Sequence, residues 1–181
     1  MKSIEIFNKY MKPFLIKNGF SGKKISSDEI CFRHKEFYDA TITYIFNPMD
    51  WSIGTEISGG NFRTHFKHTL YLTMFLDGPD NFDSINRGAG EWYYASDIEL
   101  LGIFEKQADL LNEWVFDWMT GKAYENLNLI EIRNKGGRER SQIWENLDEN
   151  GKKERRKLAH EAGRLWQNTR FYPKKWKLEE E

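Results

Sequence analysis

Between Glu29 and Leu76 side-chain character alternates with a period of two, and from Asp97 it switches to the three-and-four spacing of a helix. These periods are the geometric signatures of a pleated strand and a helical turn, so they restrict the fold more than composition does. Ile30, Phe32 and His34 alternate with Cys31, Arg33 and Lys35. Ala40, Ile42, Tyr44 and Phe46 alternate with Thr41, Thr43 and Ile45. Trp51, Ile53, Thr55 and Ile57 alternate with Ser52, Gly54, Glu56 and Ser58, and Leu70, Leu72, Met74 and Leu76 with Tyr71, Thr73 and Phe75. The connections at Tyr38-Asp39 and Asn47-Pro48-Met49-Asp50 are short, and a longer one opens with Gly59-Gly60-Asn61. Consecutive strands joined this way pair as antiparallel hairpins, which predicts a meander with one apolar face covered by helices.

A helical stripe precedes the meander. Ile4, Phe7, Tyr10, Met11, Phe14 and Leu15 recur at helical spacing behind Ser3, a capping residue. Pro13 predicts a kink or a second turn, and Asn18-Gly19 a stop, because glycine accepts the left-handed conformation that ends helices. Phe20 with the polar run Ser21 to Asp28 reads as a loop or short irregular strand, and Phe82 to Ala95 as a glycine-containing loop. Ser96 and Glu99 form a capping box ahead of a helix over Asp97 to Met119. Its stripe is Ile98, Leu101, Phe104, Ala108, Leu111, Val115 and Trp118, and Gly121 ends it. Leu127 to Ile132 suits a short strand or connector, Ser141 to Leu147 a short helix, and Lys152 to Trp166 a basic helix sharing Leu158, Ala162 and Leu165 on one face. The predicted architecture is one α+β domain over 1–181: an N-terminal helix, an antiparallel meander of four to five strands, a long helix on one face, and a basic helical extension from 133 to 181 beyond a core of 1–132.

The 181 residues contain one cysteine, Cys31, which excludes an internal disulfide framework and a cysteine-rich zinc site. No run approaches the ~18 apolar residues of a membrane span, and Met1 to Gly19 is too polar for a signal sequence. The expected location is the cytoplasm. The net charge of −1 conceals a segregation. Residues 1 to 132 carry 13 basic and 19 acidic side chains, and residues 133 to 178 carry 14 and 6. Asp77 to Asp117 alone holds ten acids against Arg87 and Lys106. Such blocks either complement each other within the molecule or steer a partner of opposite sign.

No motif for chemistry is complete. On a helix His65 and His68 would share a face and could hold a metal with Glu56, but in a strand they point apart. Asp77, Asp80 and Asp83 supply loop oxygens without the spacing of a calcium hand. Arg87-Gly88-Ala89-Gly90 lacks the Lys-Ser/Thr of a phosphate loop. Cys31 and His34 fall on opposite strand faces, which separates a thiolate from its base and marks Cys31 as a small buried residue. Neither a metal nor a cofactor is expected.

The run Met11-Lys12-Pro13-Phe14-Leu15-Ile16-Lys17-Asn18-Gly19-Phe20, the turn lysines Lys23 and Lys24, the strand Ile30-Cys31-Phe32-Arg33 and the segment Glu91-Trp92-Tyr93 ahead of a long helix together resemble a family of bacterial domains of unknown function. Some of its relatives are immunity or toxin-associated proteins. The resemblance spans residues 4 to 120 and implies a helix followed by a meander, with positive φ at Gly19 and a core position for Phe20. It implies no catalytic residue.

Three functional expectations follow. In the first, a non-enzymatic protein-interaction module presents Asp80, Asp83 and Glu91 with Trp92, Tyr93 and Tyr94 as aromatic anchors to a basic protein partner. In the second, Arg155, Arg156, Arg164, Lys174, Lys175 and Trp176 interleave cations with aromatics and bind nucleic acid, the competing outcome being that Trp166, Phe171, Tyr172 and Trp176 pack back on the core while the cations meet the acidic middle. In the third, an enzyme uses a pocket between sheet and helix.

Overall fold

The computed structural model describes residues 2–37, 39–61, 66–75, 90–120, 141–167 and 169–179, with side chains for most of them. The chain opens with one helical run, α1 (Lys2–Ile6), a π turn (Phe7–Met11) and α2 (Lys12–Lys17). Pro13 has no N–H to give and its ring crowds the preceding turn, and the chain meets both demands by widening there. The N–H of Lys12 donates to the carbonyl of Phe7, five residues back. Gly19 ends the run at φ 86, and a Cβ there would lie 2.8 Å from Nε2 of His34. Both the left-handed backbone and the close imidazole require glycine.

Strands β1 (Phe20–Lys24), β2 (Glu29–His34), β3 (Thr41–Asn47), β4 (Ser52–Asn61) and β5 (Phe66–Tyr71) form an antiparallel meander in chain order. A sixth strand, β6 (Glu91–Tyr93), pairs with β4 beside Ser52–Gly54, so β5 and β6 share the far edge of β4 end to end. The cross-strand partners Phe32↔Ile42↔Ile57 and Ile30↔Tyr44↔Thr55 stack on one face, with Phe46↔Ile53↔Trp92 beside them. Phe7 enters this face, its ring 4.7 Å from Tyr44, 5.4 Å from Phe46 and 5.7 Å from both Phe32 and Phe104.

The last predicted strand is displaced. Pairing ends at Tyr71, and Leu72–Phe75 is a 3-10 turn. Leu72 and Thr73 are both buried although adjacent, which a turn permits and an alternating strand does not. Two strands were undervalued in the sequence. Phe20–Lys24 is regular, and Glu91–Tyr93, inside the predicted loop, is a ladder of three residues.

The long helix runs as α3 (Asp97–Leu110), a π turn (Leu111–Val115) and α4 (Phe116–Met119). Oγ of Ser96 accepts the N–H of Glu99 at 3.3 Å, while the Glu99 carboxylate accepts that of Ala95 at 2.8 Å, one residue earlier than the expected reciprocal partner. α3 lies on the apolar sheet face, where Nε2 of Gln107 donates to Oγ1 of Thr55 at 3.0 Å. Its burial exceeds a single stripe. Glu99, Gly102 and Glu105 are buried as well, whereas Ile98, expected in the stripe, is exposed. The reason is a second covering layer from the far end of the chain.

A helical turn at 141–145 leads to α5 (Glu149–Gln167). Its described side chains from Lys153 to Leu158 are largely exposed, Leu158 included, so that leucine does not serve an apolar contact face. No described helix is long and apolar enough to cross a membrane. Residues 169–179 then run without regular structure, and Phe171, Trp176 and Leu178 pack against the same core as the sheet and α3.

Candidate functional site

β6 is short, but it decides how the acidic and aromatic candidates are distributed. Strand alternation sends Trp92 inward, where it is 1% exposed and its ring lies 5.5 Å from Phe171. Trp92 is therefore a core residue, a correction to its expected role as a surface anchor. Glu91 and Tyr93 share the opposite face, and the phenol of Tyr93 donates to Oε2 of Glu91 at 2.6 Å. That bond, then burial, then the charges of Glu91 and Asp50 push the Tyr93 hydroxyl up to about 12. Burial raises Tyr94 also, against an opposing hydrogen bond with Ser3. Asp80 and Asp83 lie outside the described residues.

Beside β6 stands the β3–β4 turn. Nδ2 of Asn47 donates to Oδ2 of Asp50 at 2.7 Å and closes the turn. Trp51 is the one described non-glycine residue with positive φ, 51°. The left-handed region costs a residue bearing Cβ about 1–2 kcal/mol, and a bulky indole is an unusual occupant. The backbone is fixed by the amide of Tyr94 donating to the Trp51 carbonyl at 3.0 Å, and the two rings lie 5.9 Å apart. Yet Trp51 remains 54% exposed and Met49 88%. The tip thus combines two exposed apolar side chains with the carboxylates of Asp50 and Glu91 and the phenols of Tyr93 and Tyr94.

Sequence reasoning passed over Met49, Asp50 and Trp51. Alternation assigned Trp51 to the start of a strand and the preceding residues to a connection. The available signal was composition: methionine and tryptophan flank the aspartate of a turn, where polar and small residues usually stand.

The basic candidates separate into two groups. Arg155 and Arg156 lie on α5, where the Arg156 guanidinium sits 5.0 Å from the Trp144 ring centre, and Arg164 belongs to the same helix. Lys174, Lys175 and Trp176 lie on α3 instead. The Glu105 carboxylate accepts their backbone N–H groups at 2.7, 2.7 and 2.6 Å, and Nζ of Lys175 meets Asp109 at 2.8 Å. Arg170 approaches Glu99 at 3.6 Å. The Trp176 ring stacks 5.8 Å from Tyr10, and the Tyr10 hydroxyl donates to the Lys177 carbonyl. Here basic residues of the chain end meet acids of its middle.

Cys31 is half-buried with a free thiol, and His34 is turned away from it, its Nδ1 accepting the amides of Glu36 and Phe37. His68 lies on β5, whereas His65, Asp77 and Arg87 to Ala89 lie outside the described residues. Among the described residues no three His, Cys, Asp or Glu side chains converge as metal ligands. Comparison with protein families, with characterised proteins and with solved structures yields no match.

Proposed function

We propose that the protein is a non-enzymatic interaction module that docks a basic protein partner on the tip formed by Met49, Asp50, Trp51, Glu91, Tyr93 and Tyr94. The observation that carries this reading is the exposed indole of Trp51, borne on a strained left-handed backbone. Strain of this kind persists where the surroundings enforce it and is concentrated at functional positions. An exposed tryptophan and methionine inside an acidic, phenol-bearing rim match the make-up of interface centres that dominate binding energy. A basic partner suits the rim by charge. The family resemblance adds an immunity-like role, in which the partner is a toxin; a toxin-like reading frame adjoining the gene would support it.

This reading is preferred to nucleic-acid binding because Trp176, the aromatic of that candidate set, stacks on Tyr10 and packs against the core. The test separates folding from docking. A photo-crosslinking residue at Met49 identifies the partner, which is then titrated calorimetrically against the native protein and Trp51→Gly. Glycine relieves the backbone strain, so folding stability changes by no more than about 1 kcal/mol. Affinity falls at least tenfold if the indole is an anchor. Equal affinity for both proteins refutes the reading.

A further inference from the structure

α3 presents Glu99, Gly102, Glu105 and Asp109 at successive spacings that keep them on one helical face. Together they perform three tasks for residues 170–179. Glu105 accepts three consecutive main-chain N–H groups, a contact indifferent to the side chains of the segment it holds. Gly102 lets the main chain pass close by, since a Cβ there would stand 2.4 Å from the carbonyl oxygen of Phe171. Glu99 and Asp109 receive the cations Arg170 and Lys175. Trp92 and Tyr10 receive the rings of Phe171 and Trp176. Main-chain ligation, a path free of side chains, two aromatic seats and two acidic posts are the parts of a site for an extended peptide.

We propose that this face is a recognition groove for an extended basic segment bearing aromatic residues, occupied in cis by residues 170–179 and open to a partner protein's segment of the same chemistry. The proposal uses residues separate from the Trp51 tip and stands or falls independently of it. The cis occupant is suited to displacement. It has no regular structure, and its cations are tied through solvent-exposed ion pairs, with Arg170 46% and Lys175 67% exposed. Such pairs contribute little and weaken further with salt. While the segment occupies the groove, a competitor's apparent affinity is reduced by the fraction of molecules that are open.

The experiment uses the full chain and a fluorescein-labelled peptide of residues 169–179. Reversing both exposed cations, Arg170→Glu with Lys175→Glu, sets like charges against Glu99 and Asp109 and leaves the groove intact. The peptide is expected to bind this variant at least tenfold more tightly than the native chain, and Gly102→Ala added to it should abolish the gain. In parallel, saturating peptide should speed hydrogen exchange at the amides of Lys174, Lys175 and Trp176 in the native protein, a readout that needs no variant. Equal binding to both chains, or a gain that survives Gly102→Ala, overturns the proposal. So does unchanged exchange in the native protein at saturation. A concentration-dependent dimer exchanging these segments would assign the groove to a second copy and overturn the partner reading.

Discussion

Gly102→Ala sets two effects of opposite sign against each other. Within a helix the change is normally favourable, by about 1 kcal/mol, because alanine has less backbone entropy to lose. Here the new methyl would sit 2.4 Å from the Phe171 carbonyl oxygen and 2.6 and 2.8 Å from the carbonyl carbons of Phe171 and Tyr172. All three are main-chain atoms, so relief requires moving the segment. A shift of about 1 Å breaks the geometry at Glu105, where hydrogen bonds to a charged acceptor are worth about 1.5–3 kcal/mol each before water replaces them. A net weakening of segment docking of about 2–4 kcal/mol follows, which exceeds the helical gain. At 1.4 kcal/mol per tenfold, protection of the Lys174, Lys175 and Trp176 amides against hydrogen exchange should fall about 30- to 700-fold. Amides of Leu100 to Phe104 should keep or slightly increase theirs. If protection at 174–176 is unchanged while the whole protein becomes about 1 kcal/mol more stable, the close-approach reasoning is wrong.

Three further outcomes are expected. The Tyr44 hydroxyl is fully buried with no hydrogen-bond partner among the described residues, so Tyr44→Phe should stabilise by about 1 kcal/mol and raise Tm by about 2–4 °C; a lower Tm would mean that the hydroxyl is satisfied. Tyr93, held at about 12 chiefly by its bond to Glu91, binds its proton more tightly folded than unfolded. Its contribution to stability is complete below pH 10 and is lost as pH rises through about 12; ultraviolet titration should show this late phenol moving toward 10 in Glu91→Gln, and a native midpoint near 10 would contradict the assignment. Trp92→Ala should cost about 3–5 kcal/mol in denaturant unfolding, as a large core truncation does, in contrast to the near-neutral Trp51→Gly.

The parts of the fold legible in the sequence are those in which one local rule dominates. Alternation identified β2, β3 and β4 because one face of each packs on helices and the other does not. The Ser96 cap marked the start of α3, and Asn18-Gly19 the end of α2. Where two rules met, local reading failed. A three-residue strand such as β6 is too short for a period, and its pairing with β4 is supplied by the far end of a hairpin. Leu72 continues an alternation that pairing abandons at Tyr71. Glu105 was one acid among ten in its stretch, and nothing nearby distinguishes it. Its distinction comes from N–H groups 69 to 71 residues later. The candidate site was legible to the same degree: Glu91, Tyr93 and Tyr94 were singled out, whereas the tip carrying Trp51 depends on a backbone angle that no side-chain pattern announces.

That separation in sequence also has a consequence during synthesis. A ribosome adding roughly 5–20 residues per second leaves Glu105 waiting about 3–14 s before Lys174 is made. Throughout that interval the nascent chain shows the face of Glu99, Glu105 and Asp109 to water, and three carboxylates keep it hydrated. An apolar seam there would hold the finished segment equally well and would invite aggregation in every growing chain.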